Sequence, residues 1–240
     1  MAAELRRLAD MFVELAGGRD EEPFDVPALL STLTGKVAEL FDCQTAAVFD
    51  TGVRTGPEVA GSSPEMAQLE LESYGQGEGP GRDCRLTGEA LTGYLLDSPA
   101  ARVRWPRFVP RALELKGDWV TALPLRGRTK VVGALVLLGQ GDAGTEQRDL
   151  AQAMADVSAI ALMREREVQD GRALAGQLEH ALSSRVLIEQ AKGVLATRGA
   201  VSMEKAFDQL RGYARAHRCR LVDVARDVVE GRGELVRPRG

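Results

Sequence analysis

The chain has 240 residues, 44% of them hydrophobic and 28% charged, with a formal net charge of −4 at pH 7. This composition is ordinary for a folded globular protein, and no apolar run of about 18 residues indicates a transmembrane helix. The N-terminal MAAELRRLAD lacks the apolar core of a signal peptide, and Cys43, Cys84 and Cys219 are too widely spaced to indicate a disulfide framework or a zinc cluster. We therefore expect a cytoplasmic protein without membrane contact or bound metal.

Charge is divided unevenly along the chain. Residues 178–240 carry 12 basic and 8 acidic side chains, a net of +4, whereas residues 1–177 carry 19 basic and 27 acidic ones, a net of −8. A basic C-terminal region in an otherwise acidic chain favours binding of a phosphate-rich partner by that region. The alternative is an ordinary fluctuation of surface charge.

Hydrophobic periodicity and turn residues predict the elements of the first part of the chain. They are helices over residues 1–16, 27–41 and 64–72, and strands over 45–50 and, more weakly, 57–63. Gly17 and Gly18 close the first helix, while Ser63 as N-cap and Pro64 at the first position begin the third.

The middle of the chain contains a segment rich in glycine, YGQGEGPGRDC, which predicts irregular structure. A partly helical segment over 86–96 and a helix after Pro106 follow it. DWVTALPL and KVVGALVLL, joined by RGRT, predict a β-hairpin, and Thr145 then caps a long helix. The inward positions of that helix are Leu150, Met154, Val157, Ile160 and Ala161. This order describes one α+β domain of roughly 140 residues.

A polar helical segment follows this domain and reaches His180, with predicted interruptions at Gly171 and Gly176. One heptad position of an imperfect coiled-coil seam holds Met154, Ala161, Val168, Ala175 and Leu182. Such a seam predicts a homodimer. The alternative is a helix that packs on its own domain.

The C-terminal third predicts three amphipathic helices with short turns, which make a small bundle. The first runs over about 178–198 and ends at Gly199, and the second begins with Ser202 as N-cap. The apolar face of the second helix holds Met203, Ala206, Phe207, Leu210 and Ala214, and that of the third Leu221, Val224, Ala225 and Val228.

Catalytic sets are absent from the sequence. The histidines are His180 and His217, so the α+β domain cannot hold a Ser-His-Asp or Cys-His site. No GxGxxG after a strand, no P-loop lysine and no HExxH is present. An enzyme is therefore the class that we least expect.

Five residues of the α+β domain are candidates for lining a ligand pocket: Gly79, Gly81, Cys84, Trp105 and Trp119. The alternatives are a surface loop for the two glycines and core positions for the tryptophans. Cys84 is either a redox-sensing thiol, its pKa lowered by Arg82 and Arg85, or a plain buried one.

A row of arginines on the second C-terminal helix, Arg211, Arg215 and Arg218, repeats at i, i+4 and i+7, and Arg220 follows in the turn. Arginine binds phosphate bidentately, so the row favours a nucleic-acid contact. The alternative is that these cations complement the helix dipole.

Two further positions leave a choice of interpretation. Tyr213 is a candidate for base stacking or a partly buried core residue. Gly193, beside Lys192, makes room for a neighbouring helix, which we favour, or for an RNA backbone.

Three motifs over about residues 181–229, SRVLIEQAKGVL, AFDQLRGYAR and LVDVA, resemble the ANTAR domain of bacterial transcription antitermination regulators. The resemblance implies a three-helix bundle that binds RNA as a dimer, with one bundle for each of two paired hairpins in a leader transcript. Stabilising that RNA structure prevents a terminator from forming.

The segments EGPGRDCRLTGEAL, RWPRF, VTALPLRGRTKVVGALVLL and TEQRDLAQAMAD, within residues 25–163, resemble a GAF domain of the kind fused to ANTAR domains in actinobacteria. The resemblance implies a sensor of a small molecule or redox signal, or a dimerisation module. Such domains often read EGPCxDA, whereas here Gly81 replaces the cysteine and Cys84 the alanine. The domain has no histidine to ligate haem and no cyclic-nucleotide signature, so its cofactor is unknown.

The sequence thus predicts an α+β GAF domain with an antiparallel sheet flanked by helices, a linker helix or coiled coil, and an all-α three-helix ANTAR bundle. The expected segments are an N-terminal helix over 1–24, the GAF domain over 25–163, the linker over 164–180, the ANTAR domain over 181–230 and a flexible tail over 231–240. The candidate RNA contacts are Arg185, Lys192, Gly193, Arg211, Tyr213, Arg215, Arg218 and Arg220. A DNA-binding regulator and a non-catalytic dimeric partner-binding module are the alternative functions.

Overall fold

The computed structural model describes residues 2–17, 24–50, 56–128, 130–141 and 145–232. These residues divide into two compact units, Met1–Glu167 and Val168–Gly240. Some predicted features lie outside the described residues: Gly18 at the end of the first helix, Thr129 of the hairpin loop, the capping side chain of Thr145 and most of the tail over 231–240.

The first unit contains five strands, six short helices and the beginning of a seventh helix, among the described residues. In chain order they are α1 (Ala2–Leu15), α2 (Val26–Phe41), β1 (Gln44–Phe49), β2 (Glu58–Gly61), α3 (Pro64–Gln76), α4 (Pro80–Thr87), β3 (Leu91–Leu95), α5 (Pro99–Arg104), α6 (Phe108–Glu114), β4 (Trp119–Arg126), β5 (Val131–Gly139) and α7 (Thr145–Gly199). The predicted strands and hairpin are confirmed.

The five strands form one antiparallel sheet in the order β2-β1-β5-β4-β3. Both faces of the sheet are covered, which explains why the central strands are apolar at almost every position. One face, with residues such as Leu135 and Leu137, packs against α1, α2 and the first part of α7. The other, with Val136 and Leu138, packs against α3, α4, α5 and α6.

Two predictions for the middle of the chain are wrong in part. The glycine-rich segment ends in a helix, α4, because Pro80 occupies its first turn and Gly88, with φ of 74°, closes it. In the segment predicted as partly helical, residues 86–87 end α4, but residues 91–95 form an edge strand. The ladder of this strand is irregular between Leu91 and Tyr94, around Gly93 with φ of 64°, which hides the strand pattern.

The helix α7 is one uninterrupted helix of 55 residues, so the predicted breaks at Gly171 and Gly176 are wrong. An exposed glycine weakens a helix but does not break it. Ile160, predicted to face inward, is 59% exposed. The helix ends at Gly199, but the residue with a positive φ is the next one, Ala200 at 49°.

The second unit holds the rest of α7 with α8 (Met203–Ala216) and α9 (Leu221–Val229). Its core consists of Ala191, Leu195, Ala206, Leu210, Ala214, Val224, Ala225 and Val228. Ser202 caps α8 as predicted, since its hydroxyl accepts a hydrogen bond from the Lys205 amide. Two residues predicted for the apolar face of α8 are not in this core: Met203 is exposed and Phe207 is only half-buried.

Candidate functional site

An open cleft of about 360 Å³ lies where α8 ends and α9 begins, and three arginines line it. Arg211, Arg215 and Arg218 share the cleft with Ala214, Cys219 and Leu221. The structure therefore brings together the row that the i, i+4, i+7 spacing predicted. All three arginines are exposed, so their guanidinium groups are accessible to a ligand.

These arginines lack acidic partners among the described residues. The cations of this unit that form ion pairs are others: Lys192 with Glu189, Arg226 with Asp223, and Arg232 with Asp227 and Glu230. A guanidinium without a carboxylate partner keeps its bidentate donors for a phosphate. The cleft is therefore lined by three cations that have no carboxylate partner among the described residues.

The backbone at Arg218 adds a second observation. Its φ of 53° lies in the left-handed region, where any residue other than glycine costs roughly 1–2 kcal/mol. Asp42, Lys116 and Ala200 also have positive φ values, so this conformation alone assigns no role to the Arg218 side chain. Arg220 follows at the N-cap position of α9, is exposed and makes no side-chain capping bond.

Lys192 and Arg185 lie on the same flank of α7, as their spacing of two turns requires. Lys192 is neutralised, because its Nζ lies 2.9 Å from both carboxylate oxygens of Glu189. The same Nζ lies 5.7 Å from the ring centroid of Phe207. Arg185 is exposed, and Glu189, one turn after it, pairs with Lys192.

Gly193 does not support the close helix approach that we favoured. A Cβ added at this position meets no heavy atom within 4 Å among the described residues. The Gly193 carbonyl accepts a hydrogen bond from Thr197, one turn on.

Tyr213 lies away from the arginine row. Its ring packs against the bundle core and stacks on His217, with centroids 3.9 Å apart and an interplanar angle of 22°. At about 100° per residue, Tyr213 and Arg211 are separated by about 160° around the helix. The structure therefore separates Tyr213 from the arginines with which the sequence grouped it.

The interior of the first unit contains a buried carboxyl group that sequence reasoning missed. Glu70 on α3 is 1% exposed, and its Oε2 accepts no hydrogen bond from the described residues. Burial raises the pKa of the Glu70 carboxyl to about 7, although the nearby Arg85 opposes the shift. No sequence signal marks Glu70, since glutamate on a short helix is typical of a solvated face.

Arg85 on α4, whose charge acts on this carboxyl group, contacts two other side chains. The guanidinium forms an ion pair with Asp50 and lies 5.0 Å from the ring centroid of Tyr74. Its buried Nε donates to no described residue. Glu70 and Arg85 thus each leave a buried polar atom without a hydrogen-bond partner among the described residues.

The glycine-rich motif positions several of its neighbours. Glu78 Oε1 accepts hydrogen bonds from the backbone amides of Arg107 and Phe108 at the start of α6. Asp83 Oδ2 accepts a hydrogen bond from Trp105 Nε1 at 3.1 Å and pairs with Arg104. The polar residues of the motif therefore join α4, α5 and α6.

The five pocket candidates do not lie together. Gly79 and Gly81 are buried at the start of α4, and Cys84 and Trp105 belong to the same face of the sheet. Trp119 packs on the opposite face. Burial raises the pKa of the Cys84 thiol to about 12, so this cysteine lacks the accessible thiolate of a redox sensor.

Neither a metal-binding cluster nor a membrane-spanning helix is found in the described ranges of the chain. They contain no cluster of three or more His, Cys, Asp or Glu side chains arranged to hold a metal ion. Within them, no helix has the length and the apolar composition needed to cross a bilayer.

Comparison with known proteins gives two family matches. The GAF domain model matches residues 25–162, and the ANTAR domain model matches residues 176–229. No curated protein matches the chain.

Solved structures that resemble the chain include two GAF domains. The chain is 14% identical to the GAF domain of a phosphoenolpyruvate-protein phosphotransferase from Coxiella burnetii, covering 69% of this chain and 96% of that one with a TM-score of 0.49. It is also 14% identical to the GAF domain of the Acinetobacter phosphoenolpyruvate-protein phosphotransferase, covering 68% and 95% with a TM-score of 0.45.

The two family matches assign a class to each unit. GAF domains are sensory modules and ANTAR domains are RNA-binding antitermination modules, and neither is a catalytic domain. Because the GAF model covers more than half of the residues and the ANTAR model follows it, the chain belongs to the GAF family and is a GAF–ANTAR fusion.

Proposed function

We propose that this chain is a transcription antitermination regulator whose C-terminal bundle binds paired hairpins in leader transcripts. The observation that carries the proposal is the cleft of Arg211, Arg215 and Arg218, unpaired among the described residues, on an RNA-binding domain. RNA stems and loops are recognised through shape and phosphate contacts, for which arginine is the best donor. Arg185 and Arg220 are also exposed and are further candidate contacts in this proposal.

The protein acts as a homodimer through α7 in this proposal. Five large apolar side chains on the part of this helix after Glu167 are exposed: Val168, Leu174, Leu178, Leu182 and Val186, here named the α7 stripe. At about 100° per residue they fall within about a third of the helix circumference. A contiguous apolar stripe is stabilised by burial against a second copy, and two bundles then meet two hairpins.

This stripe differs from the seam that the heptads predicted. Met154 and Ala161 of that seam are buried in the core of the GAF domain and cannot contact a partner. Val168 and Leu182 belong to both sets.

The GAF domain senses a small molecule in this proposal. Glu70 and Arg85 support this role, because each has a buried polar atom without a partner among the described residues. A ligand group that satisfies such atoms gains affinity in a low-dielectric interior. A redox signal through Cys84 is less consistent with its burial and raised pKa.

Sequencing the RNA that co-purifies with the protein from its native cells tests the function. We expect two neighbouring hairpins with related loops, upstream of terminators, enriched over a purification without the protein. Lack of enrichment of any RNA would contradict the proposal. Duplex DNA that displaces the recovered RNA at equal concentration would favour the DNA-binding alternative.

A further inference from the structure

The half-buried aromatic ring of Phe207 lies on the basic side of the bundle. Phe207 is one turn before Arg211 on α8, and Lys192 Nζ of α7 lies 5.7 Å from its ring centroid. Among the described residues, Phe207 does not pack against the core cluster of the bundle. Its ring is therefore an aromatic surface outside the core and beside the arginine cleft.

Lys192 is held at this ring by its own partner. Both oxygens of Glu189 lie 2.9 Å from its Nζ, so the ammonium charge is balanced before any phosphate arrives. A balanced cation over one face of the ring orders the aromatic side chain, and only the opposite face is then open to a stacking partner. Phe207 therefore offers a ligand an apolar surface next to a cation whose charge is already balanced.

Tyr213 is the other aromatic side chain of α8, and it is less suited to stacking on a base. Its ring is stacked on His217, and it packs against the core. Stacking a nucleotide base there requires the displacement of an existing partner. Phe207 has no polar group to satisfy, so its partly exposed ring gains free energy from a flat apolar surface.

We propose that Phe207 is the platform on which one unpaired loop base of the bound RNA stacks, while Arg211, Arg215 and Arg218 hold the adjacent phosphates. The proposal rests on the function proposed above and names which residue reads the loop. Bases of single-stranded loops commonly stack on aromatic side chains next to cations, which agrees with this placement.

A two-by-two comparison with the full-length chain tests the platform. The protein is wild type or Phe207→Leu, and the RNA is a two-hairpin transcript with intact adenine loops or with the same loops made abasic. An abasic loop keeps the phosphates and removes the bases, both their stacking faces and their hydrogen-bonding edges. We expect Phe207→Leu to weaken binding of the intact RNA about tenfold and to leave binding of the abasic RNA unchanged. The slope of affinity against salt remains the same, because no phosphate contact is lost.

A matched variant separates stacking from folding. Phe207→Trp keeps an aromatic face and should retain the affinity for the intact loop, and circular dichroism checks that each variant keeps its helices. Equal weakening for both RNAs, or none for either, overturns the platform while leaving the proposed function intact. Wild-type protein that binds neither RNA in a salt-dependent manner overturns both.

Discussion

Glu70 is the residue at which the GAF interior departs furthest from an apolar core. Its carboxyl group has a folded-state pKa of about 7 against an ordinary value of 4.5, because burial disfavours the charged form. The folded state therefore holds this proton more tightly than the unfolded state does. Its contribution to stability is complete below about pH 4.5 and is lost as the pH rises through about 7.

The variant Glu70→Gln should remove this dependence. Relative to wild type, its free energy of unfolding should rise between pH 5 and pH 8 by up to about 3 kcal/mol, since the amide has no charge to bury. Chemical denaturation at both pH values measures the difference. Glu65→Gln, an exposed carboxyl of the same helix, is the control and should track wild type. Parallel pH profiles for wild type and Glu70→Gln would refute the assignment.

Two helical glycines have opposite surroundings and should respond oppositely to alanine. A Cβ at Gly81 overlaps the Glu70 carboxylate and lies 3.0 Å from Val136 Cγ2, whereas one at Gly193 meets nothing within 4 Å. We expect Gly81→Ala to destabilise the chain by about 2 kcal/mol through overpacking. Gly193→Ala should stabilise it by about 0.5–1 kcal/mol through helix propensity. Thermal unfolding measures the stability change of each variant. If Gly193→Ala is destabilised, Gly193 does make room for a neighbouring helix, and our account of this position is wrong.

At the scale of single residues, the sequence predicts some positions of the candidate sites and not others. The spacing of Arg211, Arg215 and Arg218 predicts one surface, because three positions on one helix flank need only the helical period. Glu70 has no such signal, since its burial depends on α4, which packs beside α3 from a later part of the chain. The separation of Trp105 and Trp119 depends on which face of the sheet each residue occupies, and that is set by the register of the strands.

At the scale of elements, the helix α4 shows why glycine and proline were misleading. Gly79, Pro80 and Gly88 stand at the boundaries of the helix, where their backbone preferences favour starting and stopping it. Counting them as loop residues was wrong because position, not composition, decides their effect. The hairpin of β4 and β5 was predicted correctly, since both strands are long, apolar and adjacent in sequence.

The helix α7 carries the element-scale prediction about assembly. The double variant Leu178→Glu with Leu182→Glu places two charges in the α7 stripe, where both leucines are more than half exposed. We expect the dimer to dissociate into monomers, because charges cannot be buried at an apolar helix contact without a partner. Light scattering of the full-length chain over a concentration series gives the mass.

A matched double variant tests whether charge alone has this effect. Gln177→Glu with Ser183→Glu adds the same charges to exposed positions of α7 outside the stripe, and it should remain dimeric. If both double variants keep the dimer mass, the stripe is not the interface. If both lose it, the effect is general repulsion and not the loss of an apolar contact.

For the molecule as a whole, the sequence predicted the two domain classes because each family's motifs are local and occur in order. The sensed signal is less accessible to sequence reasoning. It depends on which side chains meet in the interior of the GAF domain, where Glu70 and Arg85 come from different helices. The position of Phe207 is also hard to predict from the sequence, because its exclusion from the core depends on how α8 packs on α7.

The most direct test of RNA recognition by the arginine cleft is the salt dependence of binding to a two-hairpin leader RNA. The full-length chain is compared with the triple variant Arg211→Ala, Arg215→Ala, Arg218→Ala over a range of salt concentrations. If the cleft binds phosphates, the triple variant loses affinity at low salt, and the slope of log affinity against log salt becomes shallower by roughly 2, from about 0.7–0.9 for each contact. Equal affinity and an equal slope for the two proteins would contradict the claim that these arginines bind RNA.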